Sequence, residues 1–179
     1  LTLVHELFGA ENKIGKLEMA DKGTLLIDEV SELTEDAQLH LLTYLESGMI
    51  ENPITNERKK VDVRIIVSTH KDLSREVKEG HFREDLFYKL NVVPLRIPAL
   101  RDRKEDMPEL VAYFLKKLNK RLHKNFSSVD ASCMEMFSSM EWPGNLRQLE
   151  HVLERMAVLG EGTSLQAKNI PADLRMEME

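Results

Sequence analysis

The run from Gly23 to Glu29, Gly-Thr-Leu-Leu-Ile-Asp-Glu, constrains this chain more than any other stretch. Its central residues, 24–27, are β-branched or aliphatic, and they are too few for a stable helix. An apolar run of this length is typical of a strand that is buried in a parallel sheet. We therefore predict an α/β fold in which Asp28 and Glu29 follow the strand at its carboxyl end, the edge at which open α/β sheets bind ligands.

Two adjacent carboxylates in this position suit phosphate chemistry. Asp28 can hold Mg²⁺, directly or through water, and Glu29 can polarise a water molecule for attack on a phosphoryl group. The alternative interpretation is a strand end with two solvated acids, since short apolar runs that end in Asp-Glu also occur by chance. The remainder of the chain has to decide between the two.

Composition limits the classes of function. A net charge of −6 argues against coating of nucleic acid by the whole chain. Cys133 is the only cysteine, which excludes a disulfide within the chain and a zinc site built from cysteines, and it suits the reducing cytoplasm. No apolar run is long enough to span a membrane. Because the chain begins with Leu1 rather than Met, we expect it to be a piece of a longer protein.

A second strand is predicted over residues 61–69. The segment between the strands is predicted to be a helix that Thr34 caps and Gly48 ends. Strand, helix and strand give a right-handed parallel crossover. If the two strands are neighbours, His70 lies near the two acids and is able to touch a terminal phosphate or its water. The alternative is an ordinary loop histidine.

The segment after the second strand carries two cations. Arg83 and Lys89 lie in an amphipathic segment, 81–90, and by themselves they suggest only surface charge. Residues 91–98 are extended in pattern, and two prolines within them favour an edge strand over a central one.

From residue 99 onwards the pattern predicts helices only. The third of these helices begins near Asn145, a candidate cap, and Gly160 ends it. Arg147 lies in its first turn, where the helix dipole disfavours a cation. The side chain is therefore placed either to meet an anion or simply to extend into solvent.

A phosphate-binding loop of the form G-x-x-x-x-G-K-[ST] is absent from the sequence. The nearest candidate runs from Gly9 to Gly15-Lys16, but its spacing is too long and Leu17 stands where a hydroxyl is required. We reject it as a phosphate loop.

Five ordered blocks nevertheless resemble one family, the AAA+ domain of bacterial enhancer-binding proteins, the activators of sigma-54 RNA polymerase. The blocks are Gly23-Thr24-Leu-Leu-Ile-Asp28-Glu29, Phe82-Arg83-Glu-Asp-Leu, Leu90-Asn91-Val-Val-Pro94, Leu100-Arg101-Asp-Arg103-Lys-Glu105-Asp106 and Trp142-Pro143-Gly144-Asn145-Leu-Arg147-Gln-Leu149-Glu150. The resemblance implies part of an AAA+ P-loop NTPase core, a parallel sheet with flanking helices, over residues 1–98, and a small all-α helical lid over 99–179.

The resemblance also implies activity and partners. The parent protein would bind and hydrolyse ATP with Mg²⁺, self-associate into a ring, in this family typically a hexamer, and remodel sigma-54 RNA polymerase. It would contact DNA through a helix-turn-helix domain that is not in this chain. The alternative within the same family is a non-hydrolysing regulator that controls transcription without sigma-54 contact. An unrelated interaction domain is a third hypothesis, which the ordered blocks oppose.

Residue roles follow from the same resemblance. Asp28 and Glu29 are similar to the Walker B pair, with Asp28 as the metal ligand and both acids catalytic. Thr69 and His70 fall at the sensor I position, where Asn is usual in place of His70. These two residues are implied to contact the nucleotide.

The cations receive roles in the same way. Arg83 is similar to a catalytic arginine finger that reaches the nucleotide of a neighbouring subunit. Lys89 falls where a second finger arginine is usual, although an ammonium lacks the planar fork of a guanidinium. Arg147 is similar to sensor II, which would contact nucleotide phosphate.

Three departures separate the chain from the family, and one of them is the absence of the usual C-terminal helix-turn-helix, as expected of a domain from a larger regulator. The Walker A loop belongs upstream of Leu1, so we expect the 179 residues alone to be inactive as an ATPase. The sigma-contacting loop, Gly-Ala-Phe-Thr-Gly-Ala, should follow the Glu6-Leu7-Phe8-Gly9 segment, but Ala10 runs directly into Glu11-Asn12, and about eight to ten residues are missing relative to the family. Either the protein lacks this loop, or the given sequence omits its residues.

Overall fold

A computed structural model describes residues 3–170, and the predicted domain ends at 1–2 and 171–179 lie outside the described residues. The chain divides into two compact units, Leu1–Leu95 and Arg96–Glu179. The sequence places this boundary three residues later, after residue 98. Within the described range, no helix combines the length and the apolar character that crossing a membrane requires.

The first unit is built around one parallel strand pair. Its helices are α1 (Leu3–Phe8), α2 (Lys16–Met19), α3 (Glu35–Ser47), α4 (Leu73–Lys78) and α5 (Glu84–Leu90), and its strands are β1 (Thr24–Ile27), β2 (Met49–Glu51), β3 (Arg58–Lys60) and β4 (Arg64–Val67). β1 and β4 pair in parallel with Thr24 opposite Arg64 and Ile27 opposite Val67. β2 and β3 form a separate antiparallel hairpin. The predicted parallel neighbours are therefore confirmed, although β4 is shorter than the predicted 61–69.

Local signals set the bounds of α3. The Thr34 side chain accepts a hydrogen bond from Ala37 N at 3.3 Å, as the predicted cap requires. Gly48 ends the helix at φ +68°, in the left-handed region that glycine adopts without strain. Between these ends, α3 turns one face to the core, where Leu41 is buried with Leu17 and other apolar side chains.

Two predictions for the first unit are wrong. Only Ile27 of β1 is buried, whereas Leu26 is 60% exposed, so the strand is not buried along its length as predicted. The edge strand expected over 91–98 does not form, and this segment has no ladder partner in the described chain. Pro94 and Pro98 lack the N–H groups that a ladder would use.

The second unit is a helical bundle closed by one short strand pair. It contains α6 (Met107–Leu122), α7 (Ala131–Ser139) and α8 (Asn145–Leu159), with β5 (Ser128–Val129) parallel to β6 (Ser164–Leu165). The expectation of helices only is therefore incomplete. The core is apolar throughout, and Phe137 and Trp142 pack edge to face in it with ring centroids 5.6 Å apart.

The predicted cap of α8 is also wrong. Gly144 occupies the cap position, and no side chain there bonds the helix. Asn145 Oδ1 instead accepts a hydrogen bond from Leu100 N at 2.8 Å. The side chain therefore fixes the start of the unit's first turn against its third helix, which only the tertiary fold could reveal.

Candidate functional site

The candidate site lies where β1 and β4 end side by side. Ser68 Oγ donates a short hydrogen bond to Asp28 Oδ1, and Glu29 N donates to Ser68 Oγ at 3.3 Å. The strands continue their pairing here, because Ser68 N donates to Ile27 O at 3.0 Å and Val30 N donates to Ser68 O at 2.9 Å. One serine of β4's extension therefore fixes the side chain of the first acid and the backbone of the second.

Glu29 takes a conformation that needs support. Its backbone lies in the left-handed region at φ +54° and ψ +55°, which costs a residue with a side chain about 1–2 kcal/mol. The carboxylate is held by His70, whose Nδ1 lies 2.8 Å from Glu29 Oε2 and whose backbone N donates to the same oxygen at 3.2 Å. The predicted proximity of His70 to the acids is confirmed for Glu29.

Thr69 makes the third connection between the strand ends. Its hydroxyl lies 2.9 Å from the hydroxyl of Ser31 and accepts a hydrogen bond from Lys71 N at 3.1 Å. The hydroxyl is thus engaged inside the chain. Its observed effect is to hold the turn that follows Glu29 against the end of β4.

The acids offer ligands of the right chemical kind for a hard cation. Asp28 is exposed and Glu29 is half-exposed, and both present carboxylate oxygens at one edge of the sheet. Mg²⁺ prefers such oxygens and keeps several waters when one or two carboxylates bind it. The residues present therefore fit the Mg²⁺ that the resemblance implies.

Arg83 lies just before α5, at the surface of the same unit. Its guanidinium bonds Asp85 through two nitrogens, at 3.1 and 2.8 Å. This fork raises the pKa of Arg83 and lowers the pKa of the Asp85 carboxyl. The Arg83 backbone N donates to Gln38 Oε1 at 2.8 Å. Arg83 therefore carries a charged, partly exposed guanidinium, and its backbone is held by Gln38.

Lys89 and Arg147 are exposed cations. Lys89 lies near the end of α5 in the first unit, and Arg147 lies in the first turn of α8 in the second. No hydrogen bond or ion pair engages either side chain within residues 3–170. Both therefore have the freedom that contact with an external anion requires.

Two polar residues of the site region escape sequence reasoning. Gln38 is 2% exposed, and it occupies a core-facing position of α3 beside Ala37 and four residues before Leu42. A polar residue on an apolar helical face is a signal that the sequence does contain. Ser68, in contrast, is one hydroxyl among many at strand ends, and nothing local distinguishes it.

The junction at Gly9 is a closed turn. Ala10 N donates to Lys13 O at 2.9 Å and Lys13 N donates to Ala10 O at 3.1 Å, so Glu11 and Asn12 form the tip. Gly9 has φ +102°, and a Cβ at Gly15 would lie 2.5 Å from Gly9 N. This short turn therefore requires glycine at both positions, because Gly9 has a positive φ and Gly15 has no room for a Cβ.

Two family models match this chain. Residues 7–96 match the Sigma-54 interaction domain, and residues 101–179 match the AAA+ ATPase lid domain. The chain is 41% identical over 173 residues to the formate hydrogenlyase transcriptional activator of Salmonella typhimurium strain LT2, covering 92% of this chain and 25% of that protein. It is 39% identical over 182 residues to the regulatory protein AtoC of Escherichia coli K12, covering 97% of this chain and 40% of AtoC.

Solved structures agree with these matches. NtrX from Brucella abortus in complex with ATP superimposes with a TM-score of 0.90 at 38% identity, over 99% of this chain and 42% of that one. The same protein in complex with ADP gives a TM-score of 0.89 at 38% identity, over 97% and 41% of the two chains. This chain thus spans between a quarter and about two fifths of the length of these relatives. It has the α/β fold of an AAA+ protein with its lid, and it belongs to the Sigma-54 interaction domain family of transcriptional regulators.

Proposed function

We propose that this chain is the ATP-binding and ATP-hydrolysing module of a cytoplasmic, sigma-54-dependent transcriptional regulator. The observation that carries the proposal lies at the ends of β1 and β4, where Ser68 bonds Asp28 and His70 bonds Glu29. The Brucella abortus relative was crystallised with ATP and with ADP, which supports a nucleotide as the ligand.

The acids divide the chemistry between them. Asp28 would hold Mg²⁺, and the cation, when bound, neutralises charge on the phosphate oxygens. Glu29 would orient and polarise the attacking water. His70 fixes one carboxylate oxygen of Glu29, and Thr69 holds the adjoining turn, so in this proposal both residues act near the terminal phosphate.

The cations would complete the site across a ring of subunits, which we propose to be a hexamer. Arg83 would leave the fork with Asp85 and reach the nucleotide of a neighbouring subunit, with Lys89 as a weaker second contact. Arg147 of the lid would contact phosphate from the nucleotide's own subunit. The ring would act on sigma-54 RNA polymerase, with DNA bound by a helix-turn-helix domain outside this chain.

Phosphate release by the purified protein that carries this chain tests the proposal. We expect Glu29→Gln to bind ATP normally and to hydrolyse it about 10²- to 10⁴-fold more slowly, since the water loses its base. Glu32→Gln is the matched control, because this nearby acid pairs with Lys71 outside the proposed chemistry. A Glu29→Gln protein that hydrolyses ATP at the wild-type rate would overturn the proposal.

Arg83→Ala tests the contact between subunits. We expect hydrolysis to fall by about 10³-fold or more, with nucleotide binding within each subunit retained, since fingers act on the transition state. Arg75→Ala is the control, because Arg75 is an exposed arginine of the same unit that pairs with Glu79 along α4. An equal loss in both variants would argue against a finger.

The 179 residues alone give a further test. Because the sequence contains no phosphate-binding loop of the Walker A form, we expect no phosphate release from this chain when it is purified by itself. Phosphate release that Glu29→Ala abolishes would contradict this expectation.

One observation favours a second candidate, a regulator of the same family that does not contact sigma-54. The closed turn between Ala10 and Lys13 stands where the family's sigma-contacting loop belongs, and its tip is only Glu11-Asn12. Asn52 Nδ2 also donates to Ala10 O at 3.2 Å, which ties the turn to the loop after β2. Such a short, tied connection presents no Phe-Thr tip to a partner.

Binding of purified sigma-54 to the ATP-loaded protein separates the candidates. If the protein remodels sigma-54 RNA polymerase, the Glu29→Gln variant, which binds ATP but does not hydrolyse it, should form a complex with sigma-54. If the second candidate is right, no complex should form. A variant that carries Gly-Ala-Phe-Thr-Gly-Ala between Ala10 and Lys13 is the matched comparison. Binding by the inserted variant only would favour the second candidate for the natural chain.

A further inference from the structure

We propose that Gln38 is the positioning residue of the arginine finger: it fixes the backbone of Arg83 relative to the segment that follows Glu29. The inference rests on the proposed function, since it gives Gln38 a role in the contact between subunits. Gln38 does not touch nucleotide in this proposal and acts only through Arg83.

The Gln38 amide is buried, and both its nitrogen and its oxygen bond backbone groups. Nε2 donates to Leu33 O at 2.9 Å and to His81 O at 3.2 Å, and Oε1 accepts from Arg83 N at 2.8 Å. A buried amide without partners costs on the order of 1–3 kcal/mol by protein mutational data, so this arrangement is strongly determined. One side chain therefore ties three backbone groups from two separate segments.

The first tied segment leads directly from the acid pair. Leu33 follows the turn Val30–Glu32, which begins immediately after Glu29. Leu33 itself is buried, so its carbonyl cannot be satisfied by bulk water. The Gln38 bond thus fixes the exit of the turn that carries Glu29.

The second tied segment leads into Arg83. Gln38 bonds the residues on either side of Phe82, and the Phe82 ring is itself buried in the core. Arg83 is the residue before α5, and its own side chain does not cap the helix. The backbone of Arg83 is therefore held by the core on one side and by Gln38 on the other, while its guanidinium stays at the surface.

This placement suits a finger. An arginine that must reach a phosphate on another subunit gains from a backbone whose position is fixed, because only the side chain then has to be ordered. Asp85 fixes the guanidinium inside the subunit, but that contact has to open when the finger acts. The Gln38 contact is to the backbone and persists in both states.

Complementation between subunits tests the role. Gln38→Met keeps an unbranched side chain of similar size and removes all three bonds, so we expect at least a tenfold loss of hydrolysis with ATP binding retained. Glu29→Gln subunits lack the base but keep a complete finger. In a mixed ring, the intact Glu29 of a Gln38→Met subunit can face the Arg83 of a Glu29→Gln subunit. About a quarter of the sites in an equal mixture then combine an intact Glu29 with an intact finger, so for a tenfold loss in Gln38→Met we expect the mixture to exceed the summed activity of the two variants about fivefold.

A second readout needs no activity. In the 179-residue chain, we expect Gln38→Met to speed amide exchange at Arg83 N at least about tenfold, while Ser68 N, bonded to Ile27 O, keeps its rate. Thr43→Val is the matched control on α3, since its exposed hydroxyl donates to Leu39 O of the same helix. The control should leave both amides unchanged.

The outcomes are separable. A mixture no more active than its parts, or unchanged exchange at Arg83 N, would overturn the role of Gln38. A wild-type protein without ATP hydrolysis, or an Arg83→Ala variant of normal activity, would instead overturn the proposed function. The double variant Gln38→Met with Arg83→Ala should be no slower than Arg83→Ala alone, because both changes remove one contact.

Discussion

The second unit buries Phe137 and Trp142 against each other, whereas the first unit leaves the strand residue Leu26 60% exposed and Leu95 88% exposed. Both units also join separate segments through polar side chains, Gln38 and Ser68 in the first unit and Asn145 in the second. In the second unit, apolar packing fixes the fold around Trp142 and Phe137. Each unit therefore has its own apolar core, and the α/β unit adds to its core the polar contacts that hold the two acids and the backbone of Arg83.

Removal of a core ring in the second unit should have the largest effect. Phe137→Ala deletes a fully buried ring, so we expect a loss of about 3–5 kcal/mol in the free energy of unfolding. Fluorescence of Trp142, the only tryptophan, reports the transition in urea. Val158→Ala, at a position that is 57% exposed, should change the value by less than about 0.5 kcal/mol. Similar losses in both variants would break the contrast between core and surface.

Removal of a polar contact in the first unit should cost less. The Tyr44 hydroxyl accepts from Val63 N at 3.0 Å and donates to Val63 O at 3.1 Å, and all these groups are buried. Tyr44→Phe leaves both backbone groups unpaired, which we expect to cost about 1–3 kcal/mol. Amide exchange at Val63 N should accelerate accordingly. Tyr88→Phe, at an exposed position of α5, is the control, and an unchanged Val63 rate in Tyr44→Phe would contradict the prediction.

A helix cap in the second unit should contribute about 1 kcal/mol. The Asp130 carboxylate accepts from Cys133 N at 2.8 Å, and this bond lowers the pKa of Asp130. Because the folded-state pKa lies below the unfolded value of about 3.9, the stabilisation is complete above that pH and is lost as pH falls through the folded pKa. Urea unfolding of wild type and Asp130→Ala should therefore differ at pH 7 and converge in strong acid. A difference that persists there would refute the assignment.

Changes in the uncovered apolar segment of the first unit should have the smallest effect. Leu95→Ser removes a side chain that contacts mainly solvent, so we expect a change within about 0.5 kcal/mol in the chain as given. Urea unfolding followed by far-UV circular dichroism measures it. A loss of several kcal/mol would mean that Leu95 is covered in solution, and the contrast between the two units would then be smaller than described.

The sequence predicted correctly those elements whose signals are local or follow from the handedness of a parallel crossover. β1 was identifiable from its composition, α3 from Thr34 and Gly48, and the meeting of His70 with Glu29 from the rule for parallel crossovers. It failed where a distant partner decides the outcome. Asn145 bonds Leu100 instead of capping α8, and residues 91–98 form no strand because no neighbouring strand in the described chain pairs with them.

The candidate site divides in the same way. The identities of Asp28, Glu29 and Arg83 as chemical groups are visible in the sequence, because carboxylates and guanidinium have fixed ligand preferences. The left-handed backbone of Glu29 and the link from Gln38 to Arg83 are not visible there. The roles of Lys89 and Arg147 at a nucleotide stay predictions.

The sequence by itself determined β1, the bounds of α3 and which charged groups follow the two parallel strands. Periodicity, caps and the handedness of the crossover are properties of neighbouring residues, so they can be read along the chain. Only the tertiary structure decided which hydrogen-bond donor meets which acceptor, as with Gln38 and Arg83, 45 residues apart. Such pairings depend on how separate segments pack, and no local pattern encodes them.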